Sequence, residues 1–141
     1  MSEYKGKPAI ANINVNDAYL KLCDLKALQQ RIEELPDEQR DQLQGVTFSD
    51  EAISFTTPMG EFRFVASEKI PPERIAFAAD GSPIPLSIAV NLKEESAEST
   101  SVNTVIDADL PFFVKTMVGG KLKEVVEKIN LVIAQSISNH A

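Results

Sequence analysis

The chain has 141 residues, 43% of them hydrophobic and 25% charged, with a formal net charge of −7 and a pI near 4.7. These values suit one globular domain, residues 1–141, built around one core. They supply no basic surface to neutralise phosphates, which excludes nucleic acid as a partner and disfavours stable association with anionic membranes.

The first seven residues, Met1 to Lys7, are polar and lack the apolar centre of a signal peptide. No uninterrupted apolar run approaches the length that spans a bilayer. A single cysteine, Cys23, rules out an internal disulfide and fits a reducing cytosol, so a cytoplasmic location is expected. Free cysteines are usually small buried apolar residues, and Cys23 is read as one.

From Ala9 to Val15 the apolar residues Ala9, Ala11, Ile13 and Val15 alternate with polar ones, which predicts a first strand. Asn16-Asp17 offers a cap for a short helix through Ala18 to Leu22. Asp24 offers one for a second, whose buried stripe is Leu25, Leu28, Ile32 and Leu35. Pro36-Asp37 ends that helix and starts a polar turn through Glu38 to Leu43.

At Gly45 the period changes from helical to two. Val46 and Phe48 make a short strand; Ile53, Phe55 and Thr57 share a face in the next. After Pro58-Met59-Gly60 the residues Phe62, Phe64 and Ala66 face one way, with Glu61, Arg63 and Ser67 opposite. Pro71-Pro72 makes a turn, because consecutive prolines cannot donate to a ladder. Ile75 and Phe77 mark another strand, and Asp80-Gly81 is a hairpin signal. Ile84, Leu86, Ile88, Val90 and Leu92 then alternate strictly, an antiparallel strand with one wet face. Glu94 to Glu98 reads as an acidic turn. Ser99 to Ala108 is the last strand, with Val102, Thr104, Ile106 and Ala108 on one face.

The rest of the chain predicts one long helix. Asp109 is its expected N-cap and Pro111 suits its first turn. Val114, Val118, Leu122, Val125, Ile129, Val132 and Ile133 recur at three- and four-residue steps on one side, with Met117, Val126 and Ile137 at its edges. Thr116, Gly120, Lys123, Glu127, Asn130 and Ala134 fall opposite. Such a helix is a rod of roughly 40 Å, and its stripe needs a wide apolar surface. Gly119-Gly120 inside it costs about 1 kcal/mol per residue relative to Ala; close packing on a strand, room for a bound molecule or a bend would each account for the pair.

The fold class that follows is α+β: a curved antiparallel sheet of about seven strands wrapped around a long C-terminal helix, with two short helices between the first two strands. This order is that of the helix-grip fold, and the chain resembles the SRPBCC, or START-like, superfamily. It is most similar to short bacterial polyketide-cyclase-like proteins of that group. The residues that carry the likeness are the Val15 to Leu28 helix pair, Pro71-Pro72-Glu73-Arg74-Ile75, Ser82-Pro83-Ile84-Pro85, and Asp107-Ala108-Asp109-Leu110-Pro111-Phe112 leading to Met117-Val118. The resemblance implies a cavity between sheet and helix that takes a hydrophobic small molecule or lipid. Phe62, Phe64, Phe77, Leu86, Ile88, Val114, Met117 and Val118 are its expected lining; the same residues also serve as plain core.

Catalytic groups are sparse. His140, the sole histidine, stands next to the C-terminus, which removes Ser-His-Asp and Cys-His catalysis and multi-histidine metal sites. Asp107 and Asp109 could offer oxygen ligands to a hard cation, but they read more simply as one solvated acid and one cap. Arg63 and Glu61 are expected in solvent, and Tyr19 near a cavity mouth with its hydroxyl exposed. No catalytic residue, metal or cofactor is assigned. Three functions stay open: a binding domain without defined catalysis, a polyketide cyclase or dehydratase-like enzyme, and an interaction or homodimerisation module using Phe113 and Leu131 on the outer side of the helix.

Overall fold

The computed structural model describes residues 2–40, 45–49, 52–57, 60–80 and 86–139. Strands β1 (Ser2–Lys5) and β2 (Ala9–Ala11) open the chain. Helices α1 (Val15–Cys23), α2 (Leu25–Glu33) and the short α3 (Asp37–Arg40) follow. Then come β3 (Val46–Ser49), β4 (Ala52–Thr57), β5 (Gly60–Ile70), β6 (Arg74–Asp80), β7 (Leu86–Ser96) and β8 (Ser99–Ala108). Helix α4 (Phe112–Ile137) closes the fold.

Among the described residues the strands form one antiparallel sheet, ordered β1-β8-β7-β6-β5-β4-β3, with β2 also on β8. The sheet curls into a half-barrel and α4 packs against it. The meander follows from short turns between strands that each carry one apolar face. Its apolar side buries Phe48, Ile53, Phe64, Ile75, Phe77, Ile88, Val90, Leu92 and Val102. The burial of Ala9, Ala11, Ile13 and Val15 on one side of the first segment agrees with its alternation.

That first segment departs from the expected single strand. β1 pairs with Val105–Ala108 and β2 with Thr100–Val102, so two short pieces share one edge of β8. β1 gives little sequence signal, because Tyr4 is its one large apolar residue between charged Glu3 and Lys5. The link between the pieces passes close over α4: a Cβ on Gly6 would collide with the Glu127 side chain and lie 3.1 Å from the Lys123 carbonyl. Gly45 has φ 81°, and Thr56 N donates to its carbonyl at 2.7 Å. Glycine suits that left-handed backbone.

The helix starts shift slightly. Asn14, not Asn16-Asp17, caps α1, its side chain accepting from Asn16 N. Asp24 caps α2 as expected, its carboxylate accepting from Ala27 N at 3.2 Å. α3 begins at Asp37, and the remainder of that expected turn lies outside the described residues. Residues 58–59 and the 81–85 stretch of the expected hairpin also lie outside them. β7 runs through Glu94 and Glu95, which stay exposed, so the turn falls at Ala97-Glu98.

Helix α4 is one unbroken rod of 26 residues. Asp109 does not cap it. Pro111 takes the N-cap position with extended backbone and no side-chain bond, which leaves the exposed Asp109 carboxylate too early in the chain for the first turn. The helix packs on β8, β2 and β1, and on α1 and α2. Because covering elements lie on more than one side, its C-terminal half buries a wider arc than a single stripe. Val126, Ile129, Val132, Ile133 and Ile137 are buried, and so are Asn130 and Ala134, which the helical period placed in solvent. Leu122 and Val125 are half-buried.

Candidate functional site

The register places the concave side of the sheet in cross-strand rows, since directly paired residues share a face. One row runs Phe77, Ile88, Ile106, Tyr4 across β6, β7, β8 and β1. The next runs Ile75, Val90, Thr104. On the other wing, Ile53 pairs with Phe64 and Phe64 with Ala79, while Val46 pairs with Phe55 and Phe55 with Phe62. Phe55 and Phe64 meet edge to face, centroids 5.3 Å apart at 77°, an arrangement aromatic pairs favour.

Burial differs along this face. Phe64, Phe77 and Ile88 are buried in the core, whereas Phe62 and Leu86 are half-buried, as are Val46 and Phe55. Met117, expected on the inner side, is 75% exposed, and Phe112 and Phe113 beside it are 84% and 68% exposed. The helix stripe drifts around α4, and the burying elements meet the C-terminal half, so among the described residues no apolar surface covers Met117. The side chains of Val114 and Val118 lie outside the described residues.

Two polar groups face the same side. The Tyr4 hydroxyl and Thr104 Oγ1 are buried and, among the described residues, have no hydrogen-bond partner. A buried hydroxyl without a partner costs about 1–3 kcal/mol. Thr104 fell within the inward alternation of the last strand; Tyr4 lay in a segment whose polarity hid its direction. No charged side chain among the described residues is fully buried.

The other singled-out residues lie apart from this face. Tyr19 is buried on the inner side of α1, with 6% of its surface exposed. Burial, then a hydrogen bond with Cys23, pushes its pKa from 10.0 up to about 12. Cys23 itself is free and half-buried. Arg63 stays in solvent and pairs with Asp80 across β5 and β6 at 3.6 Å; Glu61 is exposed. Asp107 is half-buried and Asp109 exposed, and no group of three or more His, Cys, Asp and Glu side chains converges among the described residues. His140 lies outside those residues. Among the described residues a Cβ added to the exposed Gly120 would meet nothing within 4 Å, so no close packing among them explains that glycine. Phe113 and Leu131 are both exposed on α4. No described helix is long and apolar enough to cross a membrane.

A scan of protein-family models gives no match, and neither does a search of curated proteins. Solved structures do match. TTHA0849 from Thermus thermophilus is 15% identical with a TM-score of 0.65, over 96% of this chain and 97% of that one. Norcoclaurine synthase from Thalictrum flavum, solved with dopamine and hydroxybenzaldehyde, is 8% identical with a TM-score of 0.66, over 95% and 84%. A START superfamily protein from Mycobacterium smegmatis is 12% identical with a TM-score of 0.55, over 94% and 97%. At these identities the likeness is one of fold, and the fold is START-like.

Proposed function

We propose that this protein binds an amphipathic small molecule against the concave face of the sheet. The apolar body of the ligand lies on Phe62, Leu86 and Phe55, toward the N-terminal half of α4, with Phe64, Phe77 and Ile88 as the deeper wall. Its polar group bonds the hydroxyls of Tyr4 and Thr104.

The observation that carries this reading is the pair of hydroxyls, partnerless among the described residues, on an otherwise apolar face whose outer row is only half-buried. Binding sites of this kind are mostly apolar with a few placed polar groups. The likeness to norcoclaurine synthase, solved with two aromatic small molecules, supports the same use of the fold.

A second reading, catalysis at this face, has one observation in its favour: the Tyr4 hydroxyl is an acid aimed inward. Acid–base chemistry usually needs a second placed group, and the carboxylate with a buried, unpartnered oxygen among the described residues, Asp107, alternates with Ile106 and Ala108 on β8 and so lies off this face, which weighs toward binding.

The experiment is displacement of a fluorescent fatty acid, with mass spectrometry of whatever organic extraction releases from the purified protein. A saturable site, weakened by Phe62→Asp and by Tyr4→Phe, is expected. No saturable binding, or binding indifferent to both changes, ends the proposal.

A further inference from the structure

A second recess lies at the opposite end of α4 from Phe112. It is a cleft of about 410 Å³ between α1, α2 and the last turn of α4. Its walls bring together Lys21, Arg31, Glu34 and Gln135. In a chain of net charge −7 this cleft has two cations in its walls.

Neither cation is neutralised by a described residue. Lys21 Nζ donates to the Ile137 carbonyl and to Asn139 Oδ1, each at 3.2 Å, both uncharged acceptors. An ammonium has three N–H donors, so one is left. Arg31 Nη1 is buried and, among the described residues, has no acceptor. Glu34 lines the same cleft and, among those residues, forms no ion pair with either cation. The Gln135 side-chain oxygen is also buried, without a donor among them. Lys21 sits on the carbonyl end of α4, where the helix dipole is negative, and so offsets it.

Among the described residues the cleft therefore presents an unpartnered guanidinium N–H, an ammonium with one N–H left over and one unpartnered acceptor. A carboxylate or a sulfate could satisfy the two donors and would leave Gln135 alone. A protonated phosphate group satisfies all three: its anionic oxygens accept from Arg31 and Lys21, and its P–OH donates to the Gln135 oxygen. We infer that this cleft binds a small phosphate group, free or as a phosphomonoester. The site is independent of the concave face and stands or falls separately from the ligand proposed there.

The test uses the full chain, ¹⁵N-labelled, titrated with inorganic phosphate near pH 6 at constant ionic strength, where the group keeps a P–OH. Saturable shifts centred on the Arg31 and Gln135 side-chain N–H signals are expected, with sulfate binding several-fold more weakly. Arg31→Gln weakens phosphate on the order of tenfold, the scale of one charge-assisted bond. Glu34→Gln tightens it, a gain that misfolding cannot mimic. A glycerol phosphate arm separates the sources: tighter binding than phosphate assigns a phosphorylated metabolite, equal binding assigns free phosphate. Shifts spread over lysines elsewhere, no saturation below about 10 mM, or an Arg31→Gln titration unchanged from the parent would overturn the assignment.

Discussion

Asn130 Oδ1 accepts the backbone N–H of Thr104 at 2.7 Å, while Asn130 Nδ2 donates to the Lys7 carbonyl at 3.1 Å. The two bonds explain why β8 tolerates a broken edge. β1 pairs as far as Val105 and β2 resumes at Val102, so neither strand's paired register reaches Thr104. A helix side chain takes the place of the missing strand and fixes α4 to the sheet at that point. Asn130 is completely buried. Asn130→Ala would leave a buried donor unpaired and open a small cavity, a loss of about 2–4 kcal/mol. Urea denaturation gives this directly; a change under about 1 kcal/mol would mean that water replaces both bonds.

Tyr19 predicts an alkaline limit to stability. Its hydroxyl titrates at about 12 in the folded chain against 10.0 in the ordinary range, chiefly through burial. Below the lower value both states keep the proton. Between the two, the unfolded chain ionises while the native one does not, so the native state binds more protons and stability falls as pH rises. The denaturation midpoint should drop across this window, and Tyr19→Phe should flatten that part of the profile. Absorbance at the phenolate band follows the same group; a parent curve that matches the variant's would refute the assignment.

Most strands were legible because they pair a period of two with turn residues: Ser99–Ala108 matches β8 end to end. The single long helix was legible for the same reason, from its repeating valines and isoleucines. What escaped depends on contacts distant in sequence. Asn130 looks like a solvent residue until the gap between β1 and β2 gives it partners. Tyr4 carries no periodic signal in a four-residue strand. Met117 has the right spacing for the inner side, but a helix period says nothing about where the covering surface stops. The cleft at Arg31 and Gln135 joins α2 to the far end of α4, residues that no local pattern connects.

Two glycines should respond in opposite directions. Among the described residues nothing approaches Gly120 in its exposed helical turn, so Gly120→Ala gains about 1 kcal/mol of helix propensity. Gly6 lies against the Lys123 carbonyl and the Glu127 side chain, so Gly6→Ala pushes the β1–β2 link off α4 and destabilises. Thermal unfolding of the pair is the measurement. A destabilising Gly120→Ala would show that the helix needs its backbone freedom there.

Phe77 and Phe62 lie on the same face and should separate stability from binding. Phe77 is fully enclosed, and Phe77→Ala removes a ring from a packed interior, at a cost of about 3–5 kcal/mol. Phe62 is half-buried at the outer row, where the lost ring is partly replaced by solvent, so Phe62→Ala should cost clearly less. For the fatty-acid probe the order reverses: Phe62→Ala loses contact area directly. Phe77→Leu, which keeps the core filled, should leave affinity within a few-fold. If Phe62→Ala proves as destabilising as Phe77→Ala and leaves the probe bound as before, the outer row is ordinary core and the concave face is not where the ligand sits.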